Sequence, residues 1–137
     1  MSLRSLVTLS AGIEVLVGLL TVLRPDVTIA LLLGGPADAI AELIARLFGA
    51  GVLALGLAGL KGRDDLQGPA GLALAYGFTC YNVVAAVLLI WAAVGLHLGG
   101  VVLWVAGIAH AVLGILFVYA LVAPRARPDA GEGSKSA

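Results

Sequence analysis

The chain has 137 residues, 61% of them hydrophobic and 12% charged, with no formal net charge and a mean hydropathy of +1.12. A soluble domain of this size cannot hide so much apolar side chain, because ordinary globular chains are roughly 45–50% apolar and about 25% charged. Zero net charge offers no basic surface to nucleic acid, and the single cysteine, Cys80, leaves no internal disulfide and no CxxC metal spacing.

Four apolar stretches are each long enough to cross a hydrocarbon core, which takes roughly 20 helical residues. The first runs from about Leu3 to Leu23 and is stopped by Arg24-Pro25-Asp26. Glu14 interrupts it, and the nearest small-residue cleavage pattern, Ala37-Asp38-Ala39, lies too far downstream for a signal peptide. Next comes Val27 to Leu33, too short to span, which reads as an interfacial or partly re-entrant piece over the outer mouth of the bundle.

The second span, about Ala39 to Leu60, starts after Gly35-Pro36 and Asp38, with proline and an acid near the positive end of the helix dipole. Lys61-Gly62-Arg63-Asp64-Asp65 ends it as a solvated loop. The third, about Ala70 to Leu96, follows Gly68-Pro69, and the fourth, about Gly100 to Val122, stops at Ala123-Pro124-Arg125. His97 falls in the short turn between these two. Residues 124–137 are rich in proline, glycine, serine and charge and read as a disordered cytoplasmic tail.

Backbone groups in lipid must be satisfied within their own segment, so these spans are helices. The polar–apolar alternation of porin strands is absent from them. The expected fold is an all-α, four-helix transmembrane bundle formed by residues 1–123. Lysine and arginine set its orientation: Arg4, Lys61, Arg63, Arg125, Arg127 and Lys135 share one side, against Arg24 on the other. Both termini are therefore assigned to the cytoplasm. Trp91 and Trp104 fall near the outer ends of their spans and Tyr76 and Tyr119 near the inner ends, as amphipathic rings prefer.

Each span carries one strongly polar residue away from its ends: Glu14, Arg46, Asn82 and His110. At ~1.5 Å per residue, Glu14, Asn82 and His110 fall near the midplane and Arg46 one to two turns nearer the outer face. A charge at this depth costs at least roughly 2.5–3.5 kcal/mol on insertion scales, which marks such residues as functional candidates. Positions three or four away on the same face are mostly small: Ala11 and Gly18 for Glu14, Gly49 and Ala50 for Arg46, Ala85 and Ala86 for Asn82, Ala106, Gly107 and Gly114 for His110. Small residues mark close helix approach in membranes, so all four polar groups are expected to face the bundle interior.

Structural readings stand beside the functional one. Glu42 and Arg46 are four apart in the favourable order for an ion pair, so Arg46 has two candidate partners, Glu42 and Glu14. Asn82 suits interhelical bonding, and His110 suits donation to Glu14 or to a carbonyl one helix away. Cys80 and Tyr81 read as packing. Phosphate-binding glycine loops, HExxH, GxSxG and di-carboxylate metal motifs are all missing.

The stretch Arg46-Leu-Phe-Gly-Ala-Gly-Val-Leu-Ala-Leu-Gly56 resembles the second-helix signature of the DoxX-like and neighbouring small bacterial four-helix membrane proteins. The resemblance implies a four-span protein of the bacterial cytoplasmic membrane and carries no catalytic residue with it.

Three functions compete. The bundle is an enzyme or binding protein for a lipophilic small molecule, with Glu14 and His110 as acid–base pair, Asn82 orienting the ligand and Arg46 holding an anionic or carbonyl group. Alternatively it transports protons or a solute as a homo-oligomer, or it is an accessory subunit docked on a larger membrane complex. The residues specify no cofactor and no metal.

Overall fold

The computed structural model describes residues 2–123, so the expectation of a disordered tail over 124–137 lies outside the described residues. Five helices follow in chain order: α1 (Leu3–Leu23), α2 (Pro25–Leu33), α3 (Ala39–Gly62), α4 (Pro69–Val94) and α5 (Leu103–Val122). All but α2 are long and apolar enough to cross a membrane. Their outward faces carry large apolar side chains such as Leu16, Ile40, Leu47 and Ile115, each more than half exposed. So much exposed hydrocarbon calls for an apolar surrounding.

The helix ends follow local chemistry. Ser2 caps α1 by accepting from the Ser5 amide at 3.1 Å, and Asp38 caps α3 by accepting from the Ala41 amide at 2.7 Å. Pro25 and Pro69 stand in the first turns of α2 and α4, where a missing amide hydrogen costs nothing. Pro25 also forces the break before it, and Arg24 leaves the helical region at φ −134°. Its guanidinium is held by both oxygens of Asp26, at 3.1 and 2.9 Å. The short apolar run after it is helical, and α2 ends at Gly34 with φ +81°. Residues 95–102 connect α4 to α5, with His97 in the left-handed region at φ 54°.

α1 packs closely along α3, and α4 along α5. Gly18 abuts the backbone of Leu53 and Gly49, Gly49 abuts Thr21 and Val22, and Gly56 abuts Ala11 and Val15. These partners run in opposite order along the two helices, so α1 and α3 are antiparallel. Gly114 against Val83 and Gly107 against Ile90 do the same for α4 and α5. The molecule is thus two tight antiparallel pairs laid side by side.

The seam between the pairs is filled unevenly. At the end holding the start of α1, Leu6, Val7, Ala11, Leu66, Phe78, Leu113 and Phe117 form a closed core. The rings of Phe78 and Phe117 stack there at 5.8 Å. At the opposite end α2 lies across both pairs. Thr28 bonds Thr21 of α1 at 3.2 Å, and the Leu31 carbonyl accepts from the Val102 amide at 3.1 Å, just before α5. A Cβ at Gly100 would collide with the Leu32 backbone.

The glycine contacts can be tested directly. A Cβ at Gly56 would lie 2.8 Å from the Ala11 carbonyl oxygen and the Val15 amide nitrogen, whereas one at Gly51 meets open space. Gly56→Val should cost about 1–3 kcal/mol through overpacking, seen as a lower Tm in detergent, while Gly51→Val leaves the Tm near wild type.

Candidate functional site

Halfway along the seam the apolar filling gives way to a polar layer. α1 contributes Ser10 and Glu14, one turn apart on the face that also buries Val7, Ala11, Gly18 and Thr21. α4 contributes Asn82, on the face that buries Ala75, Phe78 and Ala86. His110 of α5 joins them from beside the buried Gly107, Leu113 and Gly114.

A hydrogen-bond chain crosses three helices. Asn82 Nδ2 donates to the Phe78 carbonyl at 2.8 Å and to Ser10 Oγ at 3.4 Å, while its Oδ1 lies 2.9 Å from His110 Nδ1. The bond to a carbonyl fixes which end of the amide is nitrogen. Oδ1 can only accept, so the proton of this bond sits on His110 Nδ1. In the neutral imidazole this leaves the lone pair on Nε2, which has no hydrogen-bond partner among the described residues.

Glu14 lies beside this chain and outside it. It is 2% exposed, and its Oε1 is buried without a hydrogen-bond partner. The side chain of Tyr81 reaches toward this carboxyl. Its ring also stands edge-to-face with His110, centroids 5.4 Å apart. Tyr81 thus has a place between the two ionisable groups, where its sequence position beside Asn82 reads only as packing. Tyr81 and His110 are half-buried, whereas Glu14 and Asn82 are fully enclosed. Cys80 is exposed and outside the layer.

One expectation is corrected, and His110 takes a partner other than the two alternatives expected of it. Arg46 does not face the interior: its Nη1 donates to the Val22 carbonyl and its Nη2 lies 3.8 Å from Glu42 Oε2. Val22 is in the last turn of α1, where carbonyls have no partner within the helix and the dipole is negative, so the guanidinium caps that end. Its length lets it snorkel along the surface to reach there. Nor do Glu14 and His110 form a direct pair: His110 is held by Asn82, and no ion pair joins it to Glu14 among the described residues.

The remaining cations lie elsewhere too. Arg4 pairs with Asp64 at 2.6 Å, Arg24 with Asp26 at 2.9 Å, and Arg63 lies 3.9 Å from Asp64. Lys61 is exposed at the end of α3. Among the described residues no three His, Cys, Asp or Glu side chains converge as a metal site would require. Ser10 was findable from the sequence, four positions before Glu14 on one helical face; Tyr81 was not, because its ring reaches across the seam. No family model matches the chain, and neither a curated protein nor a solved structure matches it.

The layer combines satisfied and unsatisfied polar groups, and stability separates them. A buried polar atom without a partner destabilises the fold, so replacing it by an apolar group of similar shape is favourable. Glu14→Met in a Tyr81→Phe background, which removes both ends of their contact, should raise the Tm relative to Tyr81→Phe, by the equivalent of about 1–3 kcal/mol. Asn82→Ala, which breaks the chain to Ser10 and His110, should lower it by about 1–2 kcal/mol. Thermal unfolding of both variants in one detergent checks the opposite signs.

Proposed function

We propose that the protein is a multi-pass membrane protein that binds a lipophilic small molecule at the polar layer between its two helix pairs. The observation that carries this reading is Glu14 Oε1, a carboxyl oxygen buried in an apolar bundle with no partner. A carboxyl with one oxygen left unpartnered at this depth costs free energy that selection for stability alone would remove. Half-buried Tyr81 and His110 give the layer a side accessible from outside the bundle. The bundle is closed at one end by the stacked phenylalanines and covered at the other by α2, so approach from the lipid is favoured over approach along the axis.

In this reading Glu14 is the principal ligand-binding group and Tyr81 the group that flanks it. Asn82 is a positioning residue: it holds Nδ1 of His110 and leaves Nε2 turned to other partners. Arg46 has no part in the site. Any chemistry on the bound molecule would use Glu14 and His110 separately, one on each side of Tyr81, and not as a contacting acid–base pair.

Both termini are placed on the cytoplasmic side. Support comes from Arg4, Lys61 and Arg63 at one end of the bundle, joined in the sequence by Arg125, Arg127 and Lys135. The opposite end holds Arg24 and Arg46, each already engaged by a carboxylate or a helix end.

Native mass spectrometry of the detergent-purified protein tests the site. The wild type should carry a small molecule in stoichiometric amount, with occupancy falling at least tenfold in Glu14→Gln and less in His110→Ala. An empty wild type, unchanged in both variants, sinks the ligand reading and leaves the polar layer as packing. Orientation is checked separately in spheroplasts, in a Cys80→Ala background. His97→Cys should react with a membrane-impermeant maleimide, and Asp65→Cys only after the membrane is opened.

A further inference from the structure

The molecule the polar layer takes can be narrowed by asking which hydrogen-bonding capacity is still open. The fixed donors are engaged: both Asn82 Nδ2 hydrogens go to Phe78 and Ser10, and the His110 Nδ1 hydrogen goes to Asn82. What remains is mostly acceptor: Glu14 Oε1, the lone pair of His110 Nε2, and the oxygen and ring face of Tyr81. A carbonyl or epoxide could take one hydroxyl proton, from Glu14 or Tyr81, but would leave Glu14 Oε1 and His110 Nε2 unmet, and an anion would meet no fixed cation among the described residues, because Arg46 is bound at the end of α1. A ligand that satisfies the open acceptors brings donors of its own.

Charge narrows the class further. Arg4, Arg24, Arg46 and Arg63 are paired or close to other acceptors, and Lys61 is at the exposed end of α3. None forms an ion pair with Glu14. The titratable group that reaches the carboxyl is Tyr81 from α4, and His110 of α5 lies beyond the Tyr81 ring. α3 presents Gly49, Val52 and Gly56 to α1, and on α2 the ionisable Asp26 is exposed and paired with Arg24. Among the described residues no cation therefore stands ready to balance a Glu14 carboxylate, and the ionised form needs one from outside.

Resting on the ligand-binding reading above, we infer that the occupant is a lipophilic amine, bound as its ammonium against Glu14 in exchange for the carboxyl proton. The balance is closed: Glu14 carboxylic acid and a free ammonium give a carboxylate–ammonium pair and one proton released to solvent. The ammonium hydrogens meet Glu14 Oε1 and the Tyr81 oxygen, and the positive charge lies close to an aromatic ring. The apolar body of the amine lies along the seam or between the helices and lipid.

The test compares two probes of one shape, 1-naphthylmethylamine and 1-naphthylmethanol, by isothermal titration calorimetry of the full chain in detergent. Titrations run between about pH 6 and pH 8, in two buffers of different ionisation enthalpy. The amine should bind at least tenfold more tightly than the alcohol and release one proton. Its affinity should rise roughly tenfold per pH unit while Glu14 starts protonated and the amine stays charged. Glu14→Gln, with a Tm at or above that of wild type, should lose the preference, the proton release and the pH dependence together. If that variant does not fold, the wild-type proton count and the amine-to-alcohol ratio still decide. Equal binding of both probes without proton release overturns the amine assignment while leaving a ligand site in place. No binding of either probe also overturns it, and the occupancy of the purified wild type then judges the broader reading by itself.

Discussion

A backbone that crosses lipid has to satisfy its own hydrogen bonds, so this chain has almost no freedom in what its spans are, only in how near they come to one another. Nearness is set by glycine. Where Gly18, Gly49 and Gly56 face each other, α1 and α3 meet backbone to backbone, and Gly107 and Gly114 bring α5 onto α4 in a similar way. Without a hydrophobic drive between helices in lipid, such close van der Waals contact is the main source of association. The two tight pairs follow from it, and so does the wider seam between them. Side chains too large or too polar for a glycine-lined contact have only that seam to occupy.

The filling of the seam then divides by chemistry along its length. Phenylalanine and leucine close one end, where Phe78 and Phe117 stack and Leu66 folds in from the loop between α3 and α4. Asn82 sits one turn beyond Phe78 and takes its carbonyl as one partner, so the polar chain is anchored to the apolar floor. A satisfied network of this kind fixes the relative rotation of α1, α4 and α5. Glu14 is next to that network but adds nothing to it. The contrast within one layer separates what holds the bundle together from what the bundle holds ready.

Much of this was legible from residues alone, and the failures have physical causes. The breaks at Pro25 and Pro69 and the cap at Asp38 are local chemistry, and the helices begin where those residues say. The inward faces of Glu14 and Asn82 were readable because their small neighbours are themselves buried. Arg46 misled because Gly49 and Ala50 are adjacent small residues pointing about 100° apart, and only Gly49 turns to α1. Which of two such neighbours faces inward depends on the partner helix, a fact no single span contains. The end of α1 beside Arg46 was equally hidden, since it depends on the register between helices. Tyr81 escaped for a related reason: its backbone position is unremarkable, and only the ring crosses to the other pair.

The contact of α2 with the second helix pair has a bearing on how the protein is made. Everything that joins α1 to α3 lies in the first half of the chain and is complete once those segments have been synthesised and inserted. The bond from Val102 to Leu31, and the close seat of Gly100 on Leu32, wait for the connection that precedes the last helix. Until then α2 is held by the first pair alone, through Thr28 on Thr21, and the face that will line the seam stands open to lipid. The short helix thus has a seat that is half local and half remote: its contacts with the second pair need Gly100 and Val102, which follow α4 in the chain.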